Sequence, residues 1–113
     1  MATNPRYASR ARIKLDAAVR AMGLPCGICR GLRGPIHYDE PRDAAHPLSY
    51  VLDEIHPIKY WREYGYDSPT AAATDPNNVQ PAHRICNAEK GCKDGWHLPA
   101  PPRPSKIVTS RSR

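Results

Sequence analysis

Phenylalanine is absent from these 113 residues, and no apolar run approaches the length needed to span a membrane. With no Phe, 13 prolines and 7 glycines, the chain has little of the bulky apolar material that builds a core, and much of it must be loop. No charged-then-apolar signal pattern opens it, so a reducing cytoplasm is the expected compartment and a membrane is not an expected partner. Acidic residues are in the minority. Eleven Asp and Glu face 17 Lys and Arg, a net charge of +6 that suits a polyanionic partner such as nucleic acid without demanding one. No internal repeat is visible, and the length leaves room for one domain.

What the chain does have is four cysteines among five histidines. A loop-rich chain this short usually needs a staple, and in a reducing compartment that staple is a metal rather than a disulfide. Along the sequence, Asn4-Pro5 offers an N-cap with proline at the first helical position, and Gly23 offers a stop. Between them Ala8, Ala11, Leu15, Val19 and Met22 recur at helical spacing, with Arg6, Arg10 and Lys14 on a separate face. That basic face reads first as a solvated surface and second as a phosphate contact.

Residues 24–38 then form a turn-rich knuckle around Cys26 and Cys29, and residues 39–47 a polar, Pro-punctuated loop. Residues 49–58 are strand-like and end near Pro57. Residues 60–77 read as loop, with a helical turn at 59–64, and residues 79–90 as a helix whose start Pro81 confines to residue 80 or 81. The expected divisions are an N-terminal amphipathic helix over 1–23, a knuckle-bearing domain over 24–95 and a disordered Pro/Arg-rich tail over 96–113. Tyr60, Trp61, Tyr64 and Tyr66 look like loop and core packing, and His37, His46 and His97 carry no assignment.

Cys26 and Cys29 are spaced so that both thiolates can reach one ion from a tight turn. His83-Arg84-Ile85-Cys86 repeats the spacing, and on a helix residues three apart share a face. Together they make a Cys3His site for structural Zn²⁺ that ties the knuckle to the late helix. Such a site contributes roughly 10–16 kcal/mol of apparent binding energy, much of it folding energy. A ligand set using Cys92 in place of His83 is the rival. A thioredoxin-like redox motif needs a strand before the Cys-x-x-Cys and a helix after it, and Gly31 and Gly34 argue against that.

Between the zinc pairs stand Leu52-Asp53-Glu54-Ile55-His56-Pro57 and Asn77-Asn78-Val79-Gln80, followed by Cys86-Asn87-Ala88-Glu89-Lys90-Gly91. In this order the motifs resemble the HNH endonuclease family with its ββα-metal motif, and in particular small phage-encoded members with a zinc pair on either side of the strand. The resemblance runs from Cys26 to Gly91. It implies an α+β fold, a zinc-stapled ββα unit behind an N-terminal helix, and metal-dependent hydrolysis of double-stranded DNA. Asp53 and Asn87 then hold a catalytic Mg²⁺ or Mn²⁺, Asn78 fixes the loop of the general base, and Arg84 and Lys90 lie toward phosphate. A phage terminase large subunit or portal is the partner it implies.

Two positions depart from the family pattern. Glu54 falls where the general-base histidine belongs, with His56 two residues later, and Asn87 stands at the final histidine position. Side chains two apart on a strand share a face, so Glu54 and His56 can both look into one site. Imidazole titrates near neutrality whereas a glutamate base needs burial to raise it, so His56 is favoured and Glu54 stays open. The alternative to an enzyme is a catalytically inactive zinc module that binds DNA or a protein.

Overall fold

The computed structural model describes residues 9–41 and 45–99. Expectations for Arg6, for the Asn4-Pro5 cap and for the tail beyond residue 99 lie outside the described residues. Helix α1 spans Arg10–Met22. Its cap is Ser9, whose Oγ accepts the Arg12 N–H at 3.2 Å, and it stops at Gly23, which takes the left-handed conformation at φ 61°. Val19 and Leu15 face the core as expected, but Ala11 and Met22 are exposed. Arg12 turns inward instead, at 5% exposure.

The reason is electrostatic. Arg12 donates to the Ala73 and Leu52 carbonyls at 2.8 and 3.3 Å and pairs with the Glu54 carboxylate at 2.7 Å, satisfying three acceptors that no apolar side chain can serve. A hydrophobicity pattern cannot see such a demand.

Strand β1 (Tyr50–Glu54) pairs antiparallel with β2 (Val79–His83), with Tyr50 opposite His83 and Glu54 opposite Val79. Helix α3 (Arg84–Lys90) follows β2 directly, so β1, β2 and α3 make a ββα unit. Residues 79–83 are therefore strand where a helix was expected. Pro81 misled that reading, and the geometry explains how the strand tolerates it. The Pro81 carbonyl accepts the Gly27 N–H at 2.9 Å, so its polar side points to the knuckle and away from β1. At such a position the missing proline N–H costs the ladder nothing. The first N–H groups of α3 are satisfied by the preceding loop, Arg84 by the Ser49 carbonyl and Ile85 by the Pro47 carbonyl, each at 2.9 Å.

The long β1–β2 connection is better ordered than expected. It carries a 3-10 turn at Ile58–Tyr60, a short helix α2 at Pro69–Ala73 capped by Ser68, and a second 3-10 turn at Pro76–Asn78 capped by Asp75. Past α3, the Leu98 N–H donates to the Ile28 carbonyl at 2.9 Å, and Trp96 and Leu98 pack on the core. The compact unit thus reaches beyond the boundary drawn at residue 95. The buried cluster is Val19, Cys26, Ile28, Cys29, Ile36, Tyr50, Val79, Ala82 and Cys86, so three of nine positions are cysteines. Among the described residues no helix is long and apolar enough to cross a membrane.

Removing one partner of a buried ion pair strands the other, at a cost of about 3–5 kcal/mol. Arg12→Met is expected to lower unfolding free energy by that order in a urea titration, and Arg12→Met/Glu54→Leu to regain part of it. Equal loss in the double variant would show that the pair itself is not the source.

Candidate metal centre and the adjoining groove

Cys26, Cys29, His83 and Cys86 are all buried, and one donor atom from each lies within 4.8 Å of the others. The Cys29 Sγ and Cys86 Sγ stand 3.4 and 3.6 Å from His83 Nδ1. Zinc–sulfur bonds of about 2.3 Å and a zinc–nitrogen bond of about 2.0–2.1 Å in a tetrahedron require sulfur–nitrogen edges of about 3.5 Å, which these two edges match. His83 is the last residue of β2 and the N-cap of α3, with Cys86 in the first helical turn. The two converge from a strand end and a helix rather than from one helical face.

Several further contacts favour a metal. His83 Nε2 lies 3.2 Å from the Pro35 carbonyl, an acceptor only, so Nε2 carries the ring proton and Nδ1 keeps its lone pair for an ion. The backbone N–H groups of Cys29 and His83 both donate to Cys26 Sγ at 3.4 Å. Arg33 Nη1 donates to Cys86 Sγ at 3.4 Å, offsetting the excess negative charge that three thiolates bring to a dication. Without an ion the thiols are unequal. Burial pushes Cys86 up to about 12, and also raises Cys29, where hydrogen bonds from the Arg33 and Gly31 backbone and the Cys26 side chain leave it below its ordinary value. The cluster can hold a zinc ion. Cys92 is exposed and outside it, which removes the rival ligand set.

Beside this centre a groove of about 940 Å³ runs between α1, β1 and α3. Asp53, Glu54 and Asn87 line it together with Arg12, Arg84 and Lys90. The sequence-predicted metal ligands Asp53 and Asn87 are therefore brought to one groove from β1 and α3. Asp53 is 4% exposed; it accepts from Gln80 Nε2 at 2.9 Å and from Lys90 Nζ at 3.2 Å. Burial raises its carboxyl above the ordinary range, against the lowering effect of those two partners. Gly27 matters here at a distance. A Cβ on Gly27 would stand 2.2 Å from Gln80 Oε1, displacing the side chain that holds Asp53.

Lys90 was expected to face phosphate. It is 1% exposed, and its ammonium donates to Asp53 Oδ1 and to the Glu54 carbonyl at 2.8 Å, so in this arrangement it serves the acid and not solvent. Arg84 is half-buried at the groove and donates to Ser49 Oγ at 3.4 Å, while Arg10 and Lys14 are exposed on α1.

Glu54 and His56 do not share a face. The strand ends at Glu54; Ile55 still donates its N–H to the Asn78 carbonyl opposite at 2.8 Å, and the chain leaves the ladder at His56. Glu54 stays in the groove, paired with Arg12. His56 turns toward Asp94, with Nδ1 2.5 Å from Asp94 Oδ1, and stacks on Tyr64 at 3.9 Å and 17°. Asn78, 1% exposed, holds the loop: its Oδ1 accepts the His56 N–H at 2.8 Å, and its Nδ2 donates to the His56 and Ala72 carbonyls, both at 3.1 Å. Pro57, next to His56, and Cys92, two before Asp94, line the groove, while His56 and Asp94 themselves are not among its lining residues.

Arg12, Gln80, Arg33 and Asp94 were missed by the sequence reading. Only Asp94-Gly95 carried a local signal, and that signal is for a turn. The structure also brings His37, Glu40 and His46 within 4.8 Å of one another, three half-buried side chains that carried no assignment. His46 Nδ1 accepts the Leu48 N–H at 3.0 Å, so its other nitrogen carries the proton of the neutral ring. Neither nitrogen offers a lone pair to a cation without giving up that bond. No family model, curated protein or solved structure matches the chain.

Elemental analysis of purified protein is expected to find one zinc per chain. Cys26→Ser and Cys86→Ser should each abolish it and with it the cooperative unfolding transition, since binding on the order of 10–16 kcal/mol is coupled to folding. Cys92→Ser should keep both, and loss of zinc in that variant would return Cys92 to the ligand set.

Proposed function

We propose that this chain is a metal-dependent DNA endonuclease of the HNH type, stapled by a structural zinc ion at Cys26, Cys29, His83 and Cys86. One observation carries the reading: a ββα unit brings Asp53 and Glu54 from the end of β1 and Asn87 from α3 to the lining of a single groove, and a carboxylate-paired histidine, His56, follows two residues after that strand. Asp53 and Asn87 are the oxygen donors suited to a hard divalent cation. Both line the groove, and a divalent cation held there would take the place of the Lys90 ammonium that now meets Asp53.

Mg²⁺ or Mn²⁺ bound there supplies positive charge against the charge that develops on a phosphodiester under attack. The remaining tasks fall to side chains. His56 accepts a proton from water at Nε2, the nitrogen that Asp94 leaves unprotonated. Asn78 keeps the His56 backbone from moving as the ring changes charge. Arg84 in the groove and Arg10 and Lys14 on the exposed side of α1 draw the DNA backbone toward the site. A single compact domain has few side chains to spare for reading base edges, so cleavage with little sequence preference follows.

A second reading has an observation of its own. Both groove carboxylates are paired with cations of the same chain, Asp53 with Lys90 and Glu54 with Arg12. A zinc-stapled module that binds nucleic acid without cutting it would keep those pairs.

Supercoiled plasmid incubated at low salt with Mg²⁺ or Mn²⁺ separates the two. The endonuclease nicks it, EDTA stops the reaction, and His56→Ala slows it by roughly 10²–10⁴, the usual worth of a general base. Nicking that survives His56→Ala and disappears in Glu54→Gln would move the base to Glu54. Binding without cleavage by folded, zinc-loaded protein would favour the module.

A further inference from the structure

We propose that Asp94 is a positioning residue that fixes the tautomer and orientation of His56, so that the Nε2 lone pair is the basic atom left open to water. For its catalytic consequence the inference rests on the endonuclease reading; for its structural content it does not. A carboxylate can only accept, so the 2.5 Å contact requires the proton on His56 Nδ1. A neutral imidazole has one ring proton, and with Nδ1 occupied Nε2 is left with its lone pair. The same carboxylate faces the imidazolium that forms when Nε2 takes a proton, and stabilises it without itself being protonated.

The ring is held on three sides. Asn78 grips both polar groups of the His56 backbone, Tyr64 covers one face of the imidazole, and Asp94 fixes its edge. Tyr64 also donates its hydroxyl to Asp94 Oδ2, so one carboxylate orders both the imidazole and the aromatic ring stacked on it. The Asp94 turn is anchored in turn, because the Gly95 N–H donates to the Ile55 carbonyl at 2.9 Å, one residue before His56. At 38% exposure the His56 side chain remains open to water. A surface histidine with no task has no need of such a frame.

The test reads the tautomer directly. Two-bond ¹⁵N–¹H correlation spectra of the full, zinc-loaded chain, with the His56 signals assigned against His56→Ala, are expected to show Nδ1–H in the wild type and in Tyr64→Phe. Asp94→Ala should move the proton to Nε2 while zinc content and fold are kept. Plasmid nicking by Asp94→Ala should fall by about 10–100-fold, the range over which carboxylate partners of ligand histidines act, with DNA binding unchanged. A wild-type His56 protonated at Nε2, or an Asp94→Ala ring still protonated at Nδ1, would overturn the proposal. The wild-type spectrum decides even where the variant is poorly folded. Absence of nicking by the wild type would sink the endonuclease reading alone, with the spectra still judging Asp94.

Discussion

Two thiolates on a turn, and a histidine and a cysteine 54 or more residues later, meet within 4.8 Å, and most of the molecule is arranged around that meeting. Cysteine makes up a third of the buried cluster, so the hydrophobic core and the metal centre are largely the same object. A core this small, lacking Phe, recovers little from burial alone. Fixing Cys26 and Cys29 against β2 also brings Gly27 onto Pro81 and Gln80, and Gln80 onto Asp53. The Cys3His cluster and the groove are therefore mechanically continuous. An error of an ångström at the knuckle would reach the acid through two side chains.

The groove has a different logic. It buries Asp53, Glu54, Arg12 and Lys90, each at 5% exposure or less, and such groups are tolerated only when paired. The pairs cross elements: α1 meets β1 through Arg12 and Glu54, and α3 meets β1 through Lys90 and Asp53. They set the distance between the two helices and the strand, and they hold a high local density of charge of both signs in a half-enclosed space. Packing by apolar residues would do the first job at lower electrostatic cost. The charge density is what a ligand with charge of its own would use.

Much of this was legible in the chain. The matched Cys-x-x-Cys and His-x-x-Cys spacings identified all four donors, because a metal imposes its spacing on local sequence. Val19 and Leu15 were legible through helical period. The failures have physical causes. Pro81 reads as a helix start when only local propensity is considered, and becomes a strand residue once its carbonyl has Gly27 as a partner. Arg12 looks like a surface arginine until Glu54, 42 positions away, supplies its counter-charge. Asp94 reads as a turn for the same reason, since nothing near it in sequence announces His56. Long-range polar pairing leaves no periodic trace, whereas apolar burial and metal ligation do.

The separation of Glu54 from His56 bears most on the chemistry. Had β1 continued two residues further, both side chains would have faced the groove, and either could have served as base. The chain instead leaves the ladder after Ile55, whose N–H makes the last bond in register to the Asn78 carbonyl, and the Asn78 side chain takes the His56 N–H. Glu54 keeps its place inside and is met by a guanidinium at 2.7 Å. His56 moves out to a carboxylate, which holds the Nδ1 proton in a hydrogen bond. One side chain thus meets a positive partner and the other a negative one, so the turn after Ile55 sets them in opposite electrostatic surroundings. Glu54 is tied to α1 with the groups that hold the groove together, while His56 is oriented by Asp94 outside that network.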